Sequence, residues 1–143
     1  MSSNTLCAAS LAVAISFLPQ ISMAEPIQID PLQQPIVMYQ EAMSYLLGRN
    51  GKPKSAEKAA ELFQYLANKD WSSAQQMLGY LYYEGKGVEK NSLLAYKWLS
   101  LAVRNNPRVA EDISARRRQL QSQIPPDSRK QVDQWIAEWR PES

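Results

Sequence analysis

Glu57 with Glu61, and Glu111 with Asp112, are the carboxylate pairs whose spacing would suit general acid–base chemistry. Neither reads as a dyad. Glu57 and Glu61 lie one helical turn apart beside Lys58, the pattern of a solvated helix face. Glu111 and Asp112 fall early in a helix, where acidic groups complement the dipole. The chain has no histidine, which removes the commonest general base and the commonest metal ligand. Its one cysteine, Cys7, lies in a segment expected to be removed, so no thiol nucleophile is left. Gly85-Lys86-Gly87 has the composition of a phosphate-cradling turn, but it closes one helix several residues before the next begins, as a C-cap and turn does. No dinucleotide-binding, Walker or zinc-protease motif is present. On this reading there are no catalytic residues, no cofactor-binding residues and no metal ligands, and the chemistry that remains is binding.

Two groups of side chains suit binding. Gln76, Tyr80 and Tyr83 recur at i, i+4 and i+7, on the helix face opposite Ala74, Leu78 and Leu81. Tyrosine offers a large rigid surface and a hydroxyl, which is why it recurs at interfaces. Tyr80 either lines a groove or packs against the neighbouring hairpin, and both readings stand; for Tyr83 the groove is favoured. The second group is Arg116, Arg117 and Arg118, with Arg104 and Arg108 nearby and Glu111 and Asp112 partly offsetting them. Such a run meets an acidic protein or an anionic envelope polymer through a salt-sensitive contact, or is simply a solvated helix face.

The elements that position these groups are all helical. No segment alternates with period two for long enough to form a strand. Six helices are predicted. The first covers about Ile36 to Leu47, with Tyr39, Ala42, Met43, Leu46 and Leu47 inward, and the second about Pro53 to Asn68, with Ala56, Ala59, Ala60, Phe63, Leu66 and Ala67 inward. Asp70 is expected to cap the third, whose apolar face is Ala74, Met77, Leu78, Leu81 and Tyr82, and Gly85 and Gly87 end it. Asn91 caps the fourth, which buries Leu94, Ala95, Trp98, Leu99 and Ala102. Pro107 suits the first turn of the fifth, with Val109, Ile113, Leu120 and Ile124 as its stripe. The sixth places Val132, Trp135, Ile136 and Trp139 at helical spacing, so both tryptophans read as core, and Pro141 stops it.

The two central hairpins superpose with an offset of 35: Met43 on Leu78, Ala60 on Ala95, Phe63 on Trp98, Ala67 on Ala102. Small residues let helices approach, a large aromatic fills the gap between hairpins, and no hairpin buries its stripe alone. Leu78, Gly79, Tyr82, Gly85, Gly87, Val88, Ala95, Trp98 and Ala102 resemble the Sel-one-like (SLR) repeat, a subclass of the tetratricopeptide (TPR) superfamily. The upstream copy departs from that pattern, with Ser44, Leu47, Asn50 and Lys52 in place of the first glycine, the tyrosine and the two loop glycines. The resemblance implies an all-α fold: a short α–α superhelix, or solenoid, of two SLR/TPR-like hairpins closed by a C-terminal capping helix pair. It also implies that the first helix of each hairpin lines the concave face. Tyr45, in the position of Tyr80, would then share one groove with Tyr80 and Tyr83.

Residues 1–24 carry no charge and run through an apolar block, Leu6 to Leu18, into Ser22 and Ala24. They read as a signal peptide cleaved after Ala24, with a block too short to remain as a stable membrane span. Residues 25–35, with Pro26, Pro31 and Pro35, read as an extended leader, and residues 36–141 as the repeat domain. Sixteen basic and 14 acidic residues give a net charge of +2, no basis for nucleic-acid binding. The expectation is a non-enzymatic scaffold in the periplasm, or secreted, that holds a protein or peptide partner on its concave face without a cofactor. A binder of an anionic envelope polymer through Arg116, Arg117 and Arg118 is the alternative, and a hydrolase the weakest of the three.

Overall fold

Glycines, prolines and capping side chains cut the chain where the apolar periodicity breaks. The computed structural model describes residues 34–106 and 110–142; the expected signal peptide, nearly all of the expected leader, Pro107 and Val109 lie outside them. Six helices result: α1 (Gln34–Leu47), α2 (Ala56–Asn68), α3 (Ser72–Glu84), α4 (Ser92–Asn105), α5 (Ala110–Gln123) and α6 (Pro126–Glu138). No strand occurs among the described residues. α1 starts two residues before Ile36, and Pro35 sits in its first turn, where a missing N–H has no helical partner to lose. α2 starts at Ala56 instead of Pro53, because the Ser55 side chain accepts from the Lys58 N–H and sets the boundary. Asn91 caps α4 in the same way, accepting from Leu94 N at 3.0 Å. Gly85 ends α3 in the left-handed region at φ 70°. In the upstream copy Asn50 takes that conformation at φ 53°, the exchange that Asn tolerates best.

Asp70 does not cap α3. Trp71 occupies the cap position and makes no side-chain capping bond. The reason is local: Asp70 lies one residue too early and has a left-handed backbone, φ 65°, unlike the extended backbone of a capping residue. That carboxylate instead accepts from Gln75 Nε2 at 2.9 Å, Asn105 Nδ2 at 2.6 Å and Trp139 Nε1 at 3.2 Å.

Packing follows the repeat. Ala60, Ala67, Ala95 and Ala102 are buried, as are Phe63, Leu78 and Trp98, while Met43 is half-buried. A methyl group added at Gly79 would lie 2.7 Å from Leu99 Cδ2 and 3.2 Å from Leu99 N, so glycine is what lets α3 and α4 close together. At Gly87 it would overlap the Ala56 carbonyl oxygen, so the loop after α3 lies directly on the start of α2. One apolar cluster joins α1, α2, α3 and α4 through Leu46, Phe63, Leu66, Leu78, Leu81 and Trp98. A second joins α4 to α5 through Ala95, Tyr96, Leu99, Ile113, Leu120 and Ile124.

α6 does not continue the stack; it folds back along α4. Tyr96 donates to Asp133 Oδ1 at 2.7 Å, and Arg104 Nη1 to the Ile136 carbonyl oxygen at 2.7 Å. Trp135 and Trp139 meet Trp98 edge-on, with centroids 6.2 and 5.6 Å away, and pack against the first apolar cluster as expected, though neither is fully buried. α6 lies across the surface, so each ring keeps an edge in solvent. The tail then reaches the corner between α2 and α3, where Glu142 N donates to the Asn68 carbonyl oxygen at 2.9 Å.

Candidate functional site

The third and fifth helices together build a surface that neither suggests alone. Gln76, Tyr80 and Tyr83 lie on one face of α3, all half-buried. Arg116 of α5 lies across the two rings, its guanidinium carbon 5.3 Å from the Tyr80 centroid and 4.5 Å from that of Tyr83. A guanidinium held over aromatic rings is attracted by their faces and can still offer N–H donors to a partner. Arg116 makes no hydrogen bond or ion pair with any described residue. Lys90 adds a second cation, Nζ 5.9 Å from the Tyr83 centroid. Tyr83 also packs against the apolar cluster between α4 and α5, whereas Tyr80 packs in neither cluster.

The other expected residues are placed elsewhere. Tyr45 lies beneath Lys52 and Lys58, with Nζ 5.0 and 5.3 Å from its centroid, in a cleft of about 230 Å³ lined also by Glu41, Glu61 and Leu62. Neither Tyr80 nor Tyr83 lines that cleft. Lys52 pairs with Glu41 at 2.9 Å, and that hydrogen bond raises its amine above the ordinary range. The three arginines diverge. Arg116 meets the tyrosines, Arg117 turns toward Tyr96 with its Nε buried and unpartnered, and Arg118 is exposed. Successive helical residues project about 100° apart, which is why a run of three does not make one patch.

A second aromatic constellation escapes the sequence pattern. Lys97 projects its amine between Trp98, Trp135 and Trp139, with Nζ 5.0, 3.2 and 6.0 Å from the three centroids. Burial pushes this amine down to about 8. Its neighbours come from α4 and α6, so only the folding back of α6 creates it.

The sequence profile of the Sel1 repeat matches residues 36–71 and 72–107, which places each repeat on one hairpin. The chain belongs to the Sel1 repeat family. Sel1 repeats generally mediate protein–protein interaction, and scaffolds built from them are generally non-catalytic. The fold is similar to a crystal structure of c5321, a protective antigen of uropathogenic Escherichia coli strains with an SLR fold. That similarity has a TM-score of 0.66 at 22% identity, over 75% of this chain and 22% of that one. The Sel1 chain therefore spans less than a quarter of the antigen's length. No curated protein matches it in sequence. In Sel1 terms, Tyr80 and Tyr83 belong to the first helix of the second repeat, and Arg116 comes from the helix after it. No helix among the described residues is long and apolar enough to cross a membrane, and no group of acidic, histidine or cysteine side chains there could hold a metal ion.

Proposed function

We propose that this chain is an exported recruiting module that holds an acidic segment of a partner protein on the surface formed by Tyr80, Tyr83 and Arg116. One observation carries the reading: a guanidinium held across two tyrosine rings, with no hydrogen-bond or ion-pair partner among the described residues. A partner carboxylate would take its N–H donors in a bidentate contact, and the rings would flank an apolar side chain beside it. Gln76 extends the same face by one turn. Recognition by shape and a few anchors needs no chemistry from the chain. Export is supported by the charge-free first 24 residues, their apolar block and the small residues at Ser22 and Ala24.

The test is capture of partner proteins from a periplasmic extract by the wild-type chain and by Tyr80→Ala/Tyr83→Ala, with circular dichroism verifying the fold. Loss of a captured protein in the variant supports the surface; identical capture by a folded variant refutes it. Amino-terminal sequencing of the chain recovered from the cell envelope tests export, and recovery of an intact Met1 only from the cytoplasm refutes it. An anionic polymer would need Arg117 and Arg118 to work beside Arg116, and their divergence argues for a protein partner.

A further inference from the structure

The four exposed large apolar side chains among the described residues, Ile36, Val37, Leu47 and Tyr65, all lie at the first hairpin. Three of them are on α1. Ile36, Gln40, Met43 and Leu47 form a stripe at spacings of four, three and four, the seam of a helix pair. A cleft of about 350 Å³, lined by Tyr39, Gln40, Met43, Ser44, Leu47 and Arg49 among others, runs beside it. The repeat shows what such a stripe does when it is covered. Gln75 and Leu78, the counterparts of Gln40 and Met43, are 0% and 1% exposed, because α3 has helices on both sides. Among the described helices, α1 packs extensively against α2 alone.

We infer that a second copy of this chain covers the face, with its α1 antiparallel to the first. Three observations choose this occupant. The described residues offer no other patch of exposed large apolar side chains, so a second copy can match this face only with the same face, which requires twofold symmetry. The stripe also reads the same in reverse: antiparallel pairing about the peptide between Glu41 and Ala42 sets Ile36 against Leu47 of the second copy and Gln40 against Met43, twice over. Finally, α1 itself carries no acidic residue in its first turn and no basic residue in its last. An antiparallel neighbour brings the opposite pole to each end. Gln40 near the dyad is the polar seam residue that fixes such a register. One pair of 14-residue helices is a small interface, so association is reversible and depends on concentration.

Sedimentation of the chain as recovered from expressing cells, over a wide concentration range, tests this. The mass should rise from monomer to dimer. Ile36→Glu alone and Leu47→Lys alone should each hold the chain as a monomer, with helicity unchanged, and melting unchanged at concentrations where the wild type is itself monomeric, because both positions are exposed. Combining them should restore the dimer, since each new carboxylate then faces the new amine of the other copy. A wild-type chain that stays monomeric throughout, whether residues before Gln34 cover the face or it stays bare, overturns the inference. So does a dimer indifferent to either single substitution, or a combined variant that remains monomeric.

Discussion

Asn105 donates a 2.6 Å hydrogen bond to Asp70, the residue one repeat length before it. The bond ties the end of the second hairpin to the end of the first. Gln75 and Trp139 donate to the same carboxylate oxygen, so one partly buried corner gathers α3, α4 and the residue that follows α6. Asp70→Ala would leave the Trp139 indole N–H without its acceptor, while Gln75 keeps the Ala67 carbonyl oxygen and Asn105 the Gln75 side-chain oxygen. The expected loss is ~1 kcal/mol, the net scale of hydrogen bonds at a partly buried site. Thermal melts check it, and an unchanged melting temperature would show that water replaces the carboxylate at no cost.

Gly79→Ala should destabilise by about 1–3 kcal/mol through overpacking, because its new methyl group meets both the side chain and the backbone of Leu99. Urea unfolding measures this directly. Ser44→Ala, at the matching place upstream, should cost less, since that position already holds a side chain.

Trp98→Ala should cost ~3–5 kcal/mol, as other buried aromatics do. The ring is 3% exposed and is also the platform for Trp135 and Trp139. Near-ultraviolet circular dichroism should therefore lose signal from three tryptophans at once. A variant that melts with the wild type would place Trp98 outside the core.

Lys97 gives the fold an alkaline signature. Its amine titrates near 8 in the fold and at the ordinary lysine value of 10.5 when unfolded. Between those values the unfolded chain binds more protons, so stability should rise with pH from about 8 towards 10. Below 8 both states are charged and the dependence vanishes. Tyr39 and Tyr96, raised by burial, act in the opposite direction above pH 10 and leave the lower window clear. Melting as a function of pH, compared with Lys97→Met, isolates the effect; identical pH profiles would contradict it.

Arg116→Ala should weaken partner capture by about tenfold or more, the scale of an interface anchor, and Arg116→Lys should recover little of it. An ammonium neither stacks on Tyr80 and Tyr83 as a plane nor grips a carboxylate with two parallel donors. Full recovery in the lysine variant would mean that charge alone is recognised.

Much of the fold was legible because it is local. Asn91 and Gly85 announce helix ends by their own chemistry, and the match of Phe63 to Trp98 is a pattern in one dimension. The tyrosine face of α3 was legible for the same reason. That Arg116 lies over Tyr80 and Tyr83 was not, since it depends on how α5 packs. The arginine run and the tyrosine stripe therefore looked like rival sites, and Arg116 joins the two. Asp70 misled because its residue type suits a cap; its left-handed backbone, invisible in composition, turned it to another task. Lys97 among three tryptophans likewise exists only because α6 returns.

The bond between Glu142 and Asn68 changes how the molecule comes apart. In an open array of hairpins, terminal units fray independently, and stability grows as a sum over neighbours. Here Glu142 is bonded to Asn68 at the end of α2, so the helices from α2 to α6 resemble a buckled belt: neither edge of that stretch loosens without disturbing the other. Two repeats too short to behave as a modular rod would then melt together as one cooperative body.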